Sequence, residues 1–118
     1  MCIRDRFLSK EQLLAEVKKM YEAGIPILAG TDPPNVNINY GTDLYKELEL
    51  LSESGMPIIE VLKAGTSNVT KAFGIDNAGL IKVGYIADLI LIEGDVTEDI
   101  NALSNSKVIW KNGKEVKQ

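Results

Sequence analysis

The first regular pattern along the chain is helical. Ser9 is followed three residues later by Gln12, the spacing of a capping box in which each side chain accepts the other residue's backbone N–H. Gly24 stands where a helix commonly ends, because glycine adopts the left-handed conformation without strain. The pattern predicts one helix between these two signals, with lysine and glutamate on its polar side. Its apolar positions recur at helical spacing: Leu13, Leu14, Val17, Met20 and Tyr21.

Residues 25–30 are a short apolar run without polar alternation. A strand that is covered on both faces has this pattern, as in the parallel sheets of α/β proteins. Pro26 fits only near the start of such a strand, since proline cannot donate a ladder hydrogen bond. We therefore predict a buried parallel strand over residues 25–30, and the helix before it makes the pair one half of an α/β unit.

A polar loop follows this strand, and three helices follow the loop. The first spans about residues 43–54, with Asp43 as a candidate N-cap. The second begins at Pro57, because proline is well placed in the first helical position. A short third helix begins after Thr66 or Ser67. The apolar stripe of the first of these helices consists of Leu44, Leu48 and Leu51.

From Gly79 onward the pattern becomes that of β-strands. Residues 80–81 predict a short strand, and residues 87–93 predict a longer one that is rich in leucine and isoleucine. Residues 108–116 predict a hairpin around Asn112-Gly113, because both of these residues tolerate the positive φ that a two-residue hairpin turn requires. The sequence therefore predicts an α/β part followed by a β part.

Charge and residue counts remove several classes of function. Lys and Arg total 13 against 17 Asp and Glu, a net charge of −4, so neither a nucleic-acid partner nor a polybasic membrane surface is expected. With no histidine and one cysteine, Cys2, the chain cannot complete a Ser-His-Asp triad or a histidine-based metal site by itself. No signal peptide or membrane-length apolar run is visible, which favours the cytoplasm, although this says little if the true N-terminus lies upstream.

Each of the two predicted parts contains too few elements to form a complete domain. One parallel strand with four helices does not make a sheet, and a few short strands with one hairpin do not close a sandwich. We therefore interpret the chain as a C-terminal fragment. Residues 1–8 match no element, and we interpret them as a non-native or linker remnant.

Four stretches, taken in order, resemble the C-terminal end of the metal-dependent amidohydrolase superfamily. The nearest branch is the imidazolonepropionase and Xaa-Pro dipeptidase-like group. Each stretch is a weak signal, but the order and spacing of the four together are specific. The stretches are GIPILAGTD (24–32), YKELELL (45–51) with GMP (55–57), KAGTSN (63–68) with AFG (72–74), and GLIKVGYIADLIL (79–91) with WKNGK (110–114).

The resemblance implies an α/β fold in two parts. Residues 9–74 would be the C-terminal end of a (β/α)8 amidohydrolase barrel, comprising its last helix–strand–helix units. Residues 75–118 would be the C-terminal half of a small composite β-sandwich. A complete barrel needs about 250 residues, so a chain of 118 cannot hold one.

The resemblance also implies a reaction. The complete protein is expected to hydrolyse an amide-type C–N bond of a small molecule or dipeptide, using water activated by one or two divalent metal ions, of which zinc is the expected one. A homo-oligomer is expected for the complete protein. The fragment is expected to be inactive and to bind no catalytic metal tightly, because the family's histidine ligands have no counterpart here.

Asp32 is the one family metal ligand and catalytic residue that the resemblance places in this chain. In the family, an aspartate at the end of the eighth barrel strand binds a metal and handles the proton of the attacking water. Independently, a carboxylate at the C-terminal end of a barrel strand faces the mouth where such enzymes act. The alternative is an Asx-turn residue before Pro33, which Asp-Pro commonly forms.

Other residues near Asp32 are weaker candidates. Asn35, Asn37 and Tyr40 are candidate substrate-binding residues, although solvated loop positions are the alternative for the asparagines. Tyr45 either lies near the substrate, as aromatic or histidine residues of relatives do, or packs on its own helix. Asp88 recurs in the family in a structural role. Three acids are expected on a solvated helix face: Glu47, Glu49 and Glu53.

A different class of function also fits the sequence. The chain could be a self-contained, non-catalytic α/β module that binds a small ligand or a partner at the loop over residues 31–42. A tight stoichiometric metal site in the isolated chain, or a stable monomer, would favour this module over the hydrolase fragment.

Overall fold

The computed structural model describes residues 8–33, 37–105 and 107–117. Within these ranges the helices precede the strands, as the sequence predicts, and a 3₁₀ helix interrupts the β part. The helices are α1 (Lys10–Glu22), α2 (Thr42–Glu53), α3 (Ile58–Ala64), α4 (Ser67–Ala72) and the 3₁₀ helix (Ile100–Ser104). The strands are β1 (Leu89–Ile92), β2 (Lys107–Lys111) and β3 (Lys114–Val116).

Helix α1 has the predicted ends but little packing. Ser9 and Gln12 form the full capping box, and Gly24 follows the helix at φ +79°. The helix contains no buried residue, and Leu13 remains 51 % exposed. The local signals therefore define the helix, while its apolar stripe is only partly covered by the residues that the structure describes.

Helix α2 begins differently from the prediction. Gly41, at φ +80°, is its N-cap residue, and Asp43 lies inside the first turn, so the N-cap prediction for Asp43 is wrong. The Asp43 carboxylate instead accepts the backbone N–H of Asn39 at 2.7 Å. A short acid in the first turn is still favourable, because the helix N-terminus is the positive end of its dipole.

Residues 25–30 do not form a strand, and neither do residues 80–81. The backbone N–H of Ala29 donates to the Ala64 carbonyl at the end of α3, at 2.9 Å, and not to a neighbouring strand. Ile81 is 91 % exposed. Both strand predictions are wrong for this structure, because a strand is defined by its ladder and the described chain offers these two segments no partner strand.

The three strands form one antiparallel sheet in the order β1-β2-β3. Leu89 pairs with Trp110, and Lys111 pairs with Lys114 across the predicted two-residue turn. Asn112 and Gly113 take φ of +52° and +78°, the left-handed pair expected of this turn. The hairpin prediction is confirmed.

The core joins the helices to the β part. Val61 and Ala64 of α3 are fully buried, and the 3₁₀ helix adds Ile100 and Leu103 to the same cluster. The pattern of the sequence does not predict this 3₁₀ helix, which Asp99 caps by accepting the Asn101 N–H at 3.0 Å. The remaining members of the buried cluster are Leu48, Leu51 and Met56.

Among the described residues, no helix has both the length and the apolar character needed to cross a membrane.

Candidate functional site

Asp32 follows the apolar segment 25–30 and turns the chain away from it. Asp32 is exposed, and its backbone is left-handed at φ +52°. Few residues other than glycine take this conformation, and aspartate is among those that do so most readily. The geometry thus fits a tight turn that presents a carboxylate at the surface, which is compatible both with the predicted ligand and with the turn alternative.

A cleft of about 180 Å³ lies beside this turn. Its walls are the end of the apolar segment, two positions of the following loop and one face of α2. Three ionisable side chains of α2 reach it, two acidic and one basic. The lining residues are Gly30, Thr31, Ile38, Asp43, Lys46, Glu47 and Leu50.

Glu47 is the functional candidate that the sequence analysis missed. It is half-buried, and burial raises the pKa of its carboxyl, while a hydrogen bond from the backbone N–H of Gly30 acts in the opposite direction. The expectation that it lies on a solvated face is therefore wrong. Glu53 does lie at the surface, where it pairs with Lys10 at 3.0 Å.

Helical spacing carried a signal for Glu47. Asp43, Glu47 and Leu50 are separated by four and three residues, so they share one face of α2, and all three line the cleft. This spacing is visible in the sequence. The sequence does not show, however, that this face of α2 meets the end of the apolar segment.

The predicted substrate-binding residues are placed as follows. Asn37 is exposed in a left-handed conformation at φ +62°, and Tyr40 is 71 % exposed. Asn35 lies outside the described residues. Neither Asn37 nor Tyr40 lines the cleft, so their roles stay predictions that depend on how a substrate approaches.

Tyr45 has a packing role. It is half-buried against the core cluster, and the ammonium of Lys107 lies 4.3 Å from the centre of its ring. A cation at this distance over an aromatic face is attracted by the ring quadrupole. The structure therefore favours the packing alternative for Tyr45, which joins α2 to β2.

Asp88 has the structural role that the resemblance implied. Its two carboxylate oxygens accept from the Lys111 ammonium and from the Asn112 backbone N–H, each at 2.8 Å. These hydrogen bonds, that from Lys111 first, lower the pKa of the Asp88 carboxyl. A further bond from the Gly113 N–H to the Ala87 carbonyl, at 2.9 Å, closes the same corner.

The part of the chain that the structure describes contains no assembled metal site. In the described ranges no three His, Cys, Asp or Glu side chains come together as metal ligands would, and the chain contains no histidine. A catalytic zinc site usually keeps three protein ligands. Asp32 supplies one oxygen donor of a suitable kind for such a site.

Comparison with known proteins gives a consistent result. The model of a family described as "Amidohydrolase family" matches residues 2–116. A 5-methylthioadenosine/S-adenosylhomocysteine deaminase of Dictyoglomus thermophilum is 37 % identical over 89 residues, which is 68 % of this chain and 20 % of that protein. Ochratoxinase of Aspergillus niger is 33 % identical over 79 % of this chain and 20 % of its own length.

A solved structure extends the similarity to the fold. A Xaa-Pro dipeptidase with methionine bound in its active site matches 91 % of this chain and 26 % of its own, with a TM-score of 0.80 and 32 % identity. The chain thus spans about a fifth of the length of these curated relatives and about a quarter of that structure.

Proposed function

Because this chain belongs to the amidohydrolase family, we propose that it is the C-terminal part of an enzyme that hydrolyses an amide-type C–N bond in a small molecule or dipeptide. The single observation that carries the proposal is the family match, which covers residues 2–116 and includes the turn at Asp32. The similarity to a Xaa-Pro dipeptidase and to ochratoxinase supports an amide substrate. On this proposal the fragment is inactive alone.

Asp32 is the residue of this chain that takes part in the reaction. Its carboxylate lies at an exposed turn after the apolar segment, where it is able to bind a divalent metal, expected to be zinc, as one of several ligands. A divalent metal held there would supply a bound water of lowered pKa. The Asp32 carboxylate then accepts a proton from the attacking water and passes it toward the leaving nitrogen.

The polar residues after Asp32 are assigned to the substrate. Asn37 and Tyr40 are exposed on the loop that leads from Asp32 to α2, and Asn35 is assigned to the same role from the sequence. An exposed amide or phenol side chain can donate to a substrate carbonyl or carboxylate, which would orient the scissile bond.

A second reaction has a specific observation in its favour. The deaminase of Dictyoglomus thermophilum is 37 % identical to this chain over the matched residues. Deamination also breaks a C–N bond with water, but it releases ammonia from a ring carbon in place of an amine from a carbonyl. The role assigned to Asp32 is the same in both reactions.

The experiment compares these reactions on the complete protein. Metal is removed with a chelator, and zinc or manganese is then restored. We expect hydrolysis of Xaa-Pro dipeptides or N-acyl amino acids to disappear on removal and to return on restoration. Ammonia release from an adenosine-type nucleoside, without amide hydrolysis, would support the deaminase instead. Activity on neither class, or activity indifferent to the chelator, would contradict the proposal.

A further inference from the structure

The chain turns sharply at Gly41, immediately before α2. Gly41 takes φ +80° and ψ −67°, and the Thr42 N–H donates across it to the Tyr40 carbonyl at 3.0 Å. These angles and this bond describe a γ-turn of the rarer kind, which is strained because its central φ is positive. A strained backbone of this type persists only where neighbouring contacts hold it.

Asp43 makes such a contact from the first turn of α2. Its carboxylate oxygen Oδ2 accepts the backbone N–H of Asn39 at 2.7 Å, so the bond spans the γ-turn. A carboxylate makes a shorter and stronger bond to a backbone N–H than a neutral acceptor does. The Asn39 N–H and the Tyr40 carbonyl are therefore both tied to the start of α2.

Tyr40 projects its side chain outward from this restrained backbone. It is 71 % exposed, so packing within the described residues does not account for an aromatic ring at this position. A phenol that is exposed on a backbone of fixed conformation can act as a hydrogen-bond donor or acceptor toward a bound molecule. The loop thus combines an exposed polar aromatic side chain with two backbone bonds that limit where the side chain can go.

We propose that Asp43 is a positioning residue, whose bond to Asn39 holds the γ-turn and so keeps Tyr40 where it contacts the substrate. This inference rests on the proposed function, in which Tyr40 is assigned to the substrate. Asp43 acts through the backbone and does not touch the substrate. A loop that is ordered before binding avoids the entropy cost of ordering it on binding. Apparent affinity falls in proportion to the fraction of protein whose loop has the competent arrangement.

The test uses variants of the complete protein. Asp43→Ala removes the acceptor, and Asp43→Asn keeps an acceptor oxygen without the charge. Gly41→Ala disturbs the γ-turn independently, because alanine is strained at this φ although its Cβ meets nothing within 4 Å. Glu49→Ala is the matched control, since Glu49 is an acid of the same helix that does not line the cleft. Hydrogen exchange at the Asn39 amide, KM and kcat are measured for each variant, and the thermal midpoint checks the fold.

We expect Asp43→Ala to accelerate exchange at Asn39 and to raise KM by about 10-fold, with kcat changed by less than about 2-fold. Asp43→Asn should recover most of both effects, and Gly41→Ala should reproduce the rise in KM. Glu49→Ala should change neither quantity. Unchanged exchange or unchanged KM in Asp43→Ala would overturn the inference, as would an Asp43→Asn variant as impaired as Asp43→Ala.

A double-mutant cycle tests whether Asp43 acts through Tyr40. In a protein that already carries Tyr40→Ala, the addition of Asp43→Ala should raise KM little further, because the side chain that Asp43 positions is gone. Increases in KM that simply multiply would show that the two residues act independently and would overturn the positioning role.

The exchange measurement separates this inference from the proposed function. If the complete protein hydrolyses no C–N bond while Asn39 exchange responds to Asp43→Ala, the restraint exists, the proposed function is wrong and the positioning role falls with it. If the enzyme is active and Asp43→Ala keeps the wild-type KM, the hydrolase stands and only the positioning role fails.

Discussion

Residues 25–30 and the hairpin of β2 and β3 have the same predicted structure but different outcomes. Both segments are predicted as strands, and only the hairpin forms one. The hairpin contains its own partner, its own turn at Asn112-Gly113, and a side chain, Asp88, that bonds the turn. Residues 25–30 have no such partner strand among the described residues, and backbone bonds run instead from Ile25 to Met20 of α1 and from Ala29 to Ala64 of α3.

The difference shows what an apolar run specifies. An antiparallel pair can be joined by a two-residue turn, so its ladder is encoded within a few residues. A parallel strand needs a partner that lies a dozen or more residues away along the chain. The apolar run predicts a strand buried on both faces, but residues 25–30 are exposed or half-buried among the described residues, because only a distant segment could complete a ladder and cover them.

The largest effect is expected at Gly79, which packs against Thr66 and Thr70 at α4, ahead of the strands. A Cβ at this position would lie 2.6 Å from Thr70 Oγ1 and 3.1 Å from the Thr66 carbonyl oxygen. Gly79→Ala should destabilise the protein by about 2–4 kcal/mol, combining the left-handed backbone with this clash. The thermal midpoint of the complete protein measures the effect.

Gly84→Ala is the control for Gly79→Ala. Gly84 has nearly the same φ, +88° against +85°, and an added Cβ meets nothing within 4 Å. It should therefore show the backbone penalty alone, about 1–2 kcal/mol. Equal losses of stability in the two variants would mean that the close packing of Gly79 against α4 adds nothing to the cost of an added Cβ.

The next effect tests whether the turn makes the hairpin independent. Asn112→Ala combined with Gly113→Ala places two alanines in left-handed positions, at a cost of about 2 kcal/mol. We expect backbone amides of β2 to lose protection from hydrogen exchange, so that the hairpin comes to behave like residues 25–30. Gly74→Ala, at φ +65° outside the sheet, should leave that protection intact. Full protection in the double variant would show that the turn is dispensable.

A smaller effect is the opposite pH dependence expected for the contributions of Asp88 and Glu47 to stability. The pKa of Asp88 is lowered by its bonds to Lys111 and Asn112, so its contribution is present above the ordinary aspartate pKa, about 4, and is lost as pH falls through the folded value. The pKa of Glu47 is raised by burial, so its contribution is greatest at low pH and is lost as pH rises through its folded value. Acid should therefore destabilise the contacts of Asp88 at the hairpin turn. It should not destabilise the surroundings of Glu47.

Backbone amide chemical shifts during an acid titration measure this contrast. The Asn112 amide should move with a midpoint below the ordinary aspartate range, and Asp88→Asn should abolish that movement. The Gly30 amide should move with a midpoint above the ordinary glutamate range, and Glu47→Gln should abolish it. Coincident midpoints for the two amides would contradict the assignment of opposite shifts.

Much of the fold could be predicted because its signals are local. The capping box of Ser9 and Gln12 and the Asn112-Gly113 turn each act within four residues, and both form as expected. The 3₁₀ helix was missed because five residues are too few to show a period, although Asp99 before Ile100 is a capping signal. Its burial comes from contact with α2, which no local pattern shows.

The candidate site is divided in the same way. The assignment of Asp32 comes from the family resemblance and from its place two residues after an apolar run, and it stays a prediction. The half-burial of Glu47 could not be predicted, since it depends on α2 lying beside Gly30, which lines the same cleft from 17 positions earlier in the chain. An acid on a helix is usually solvated, and the tertiary contact makes this one different.

Asp32→Asn in the complete protein tests the central claim most directly. Asparagine keeps the size and one coordinating oxygen but cannot accept the proton, so kcat should fall by about 10²- to 10⁴-fold with the fold unchanged. Asn37→Ala should act more modestly, through KM, and Glu49→Ala should have hardly any effect. Bound metal is quantified in the same samples. A wild-type kcat with full metal loading in Asp32→Asn would contradict the account and leave Asp32 as a turn residue only.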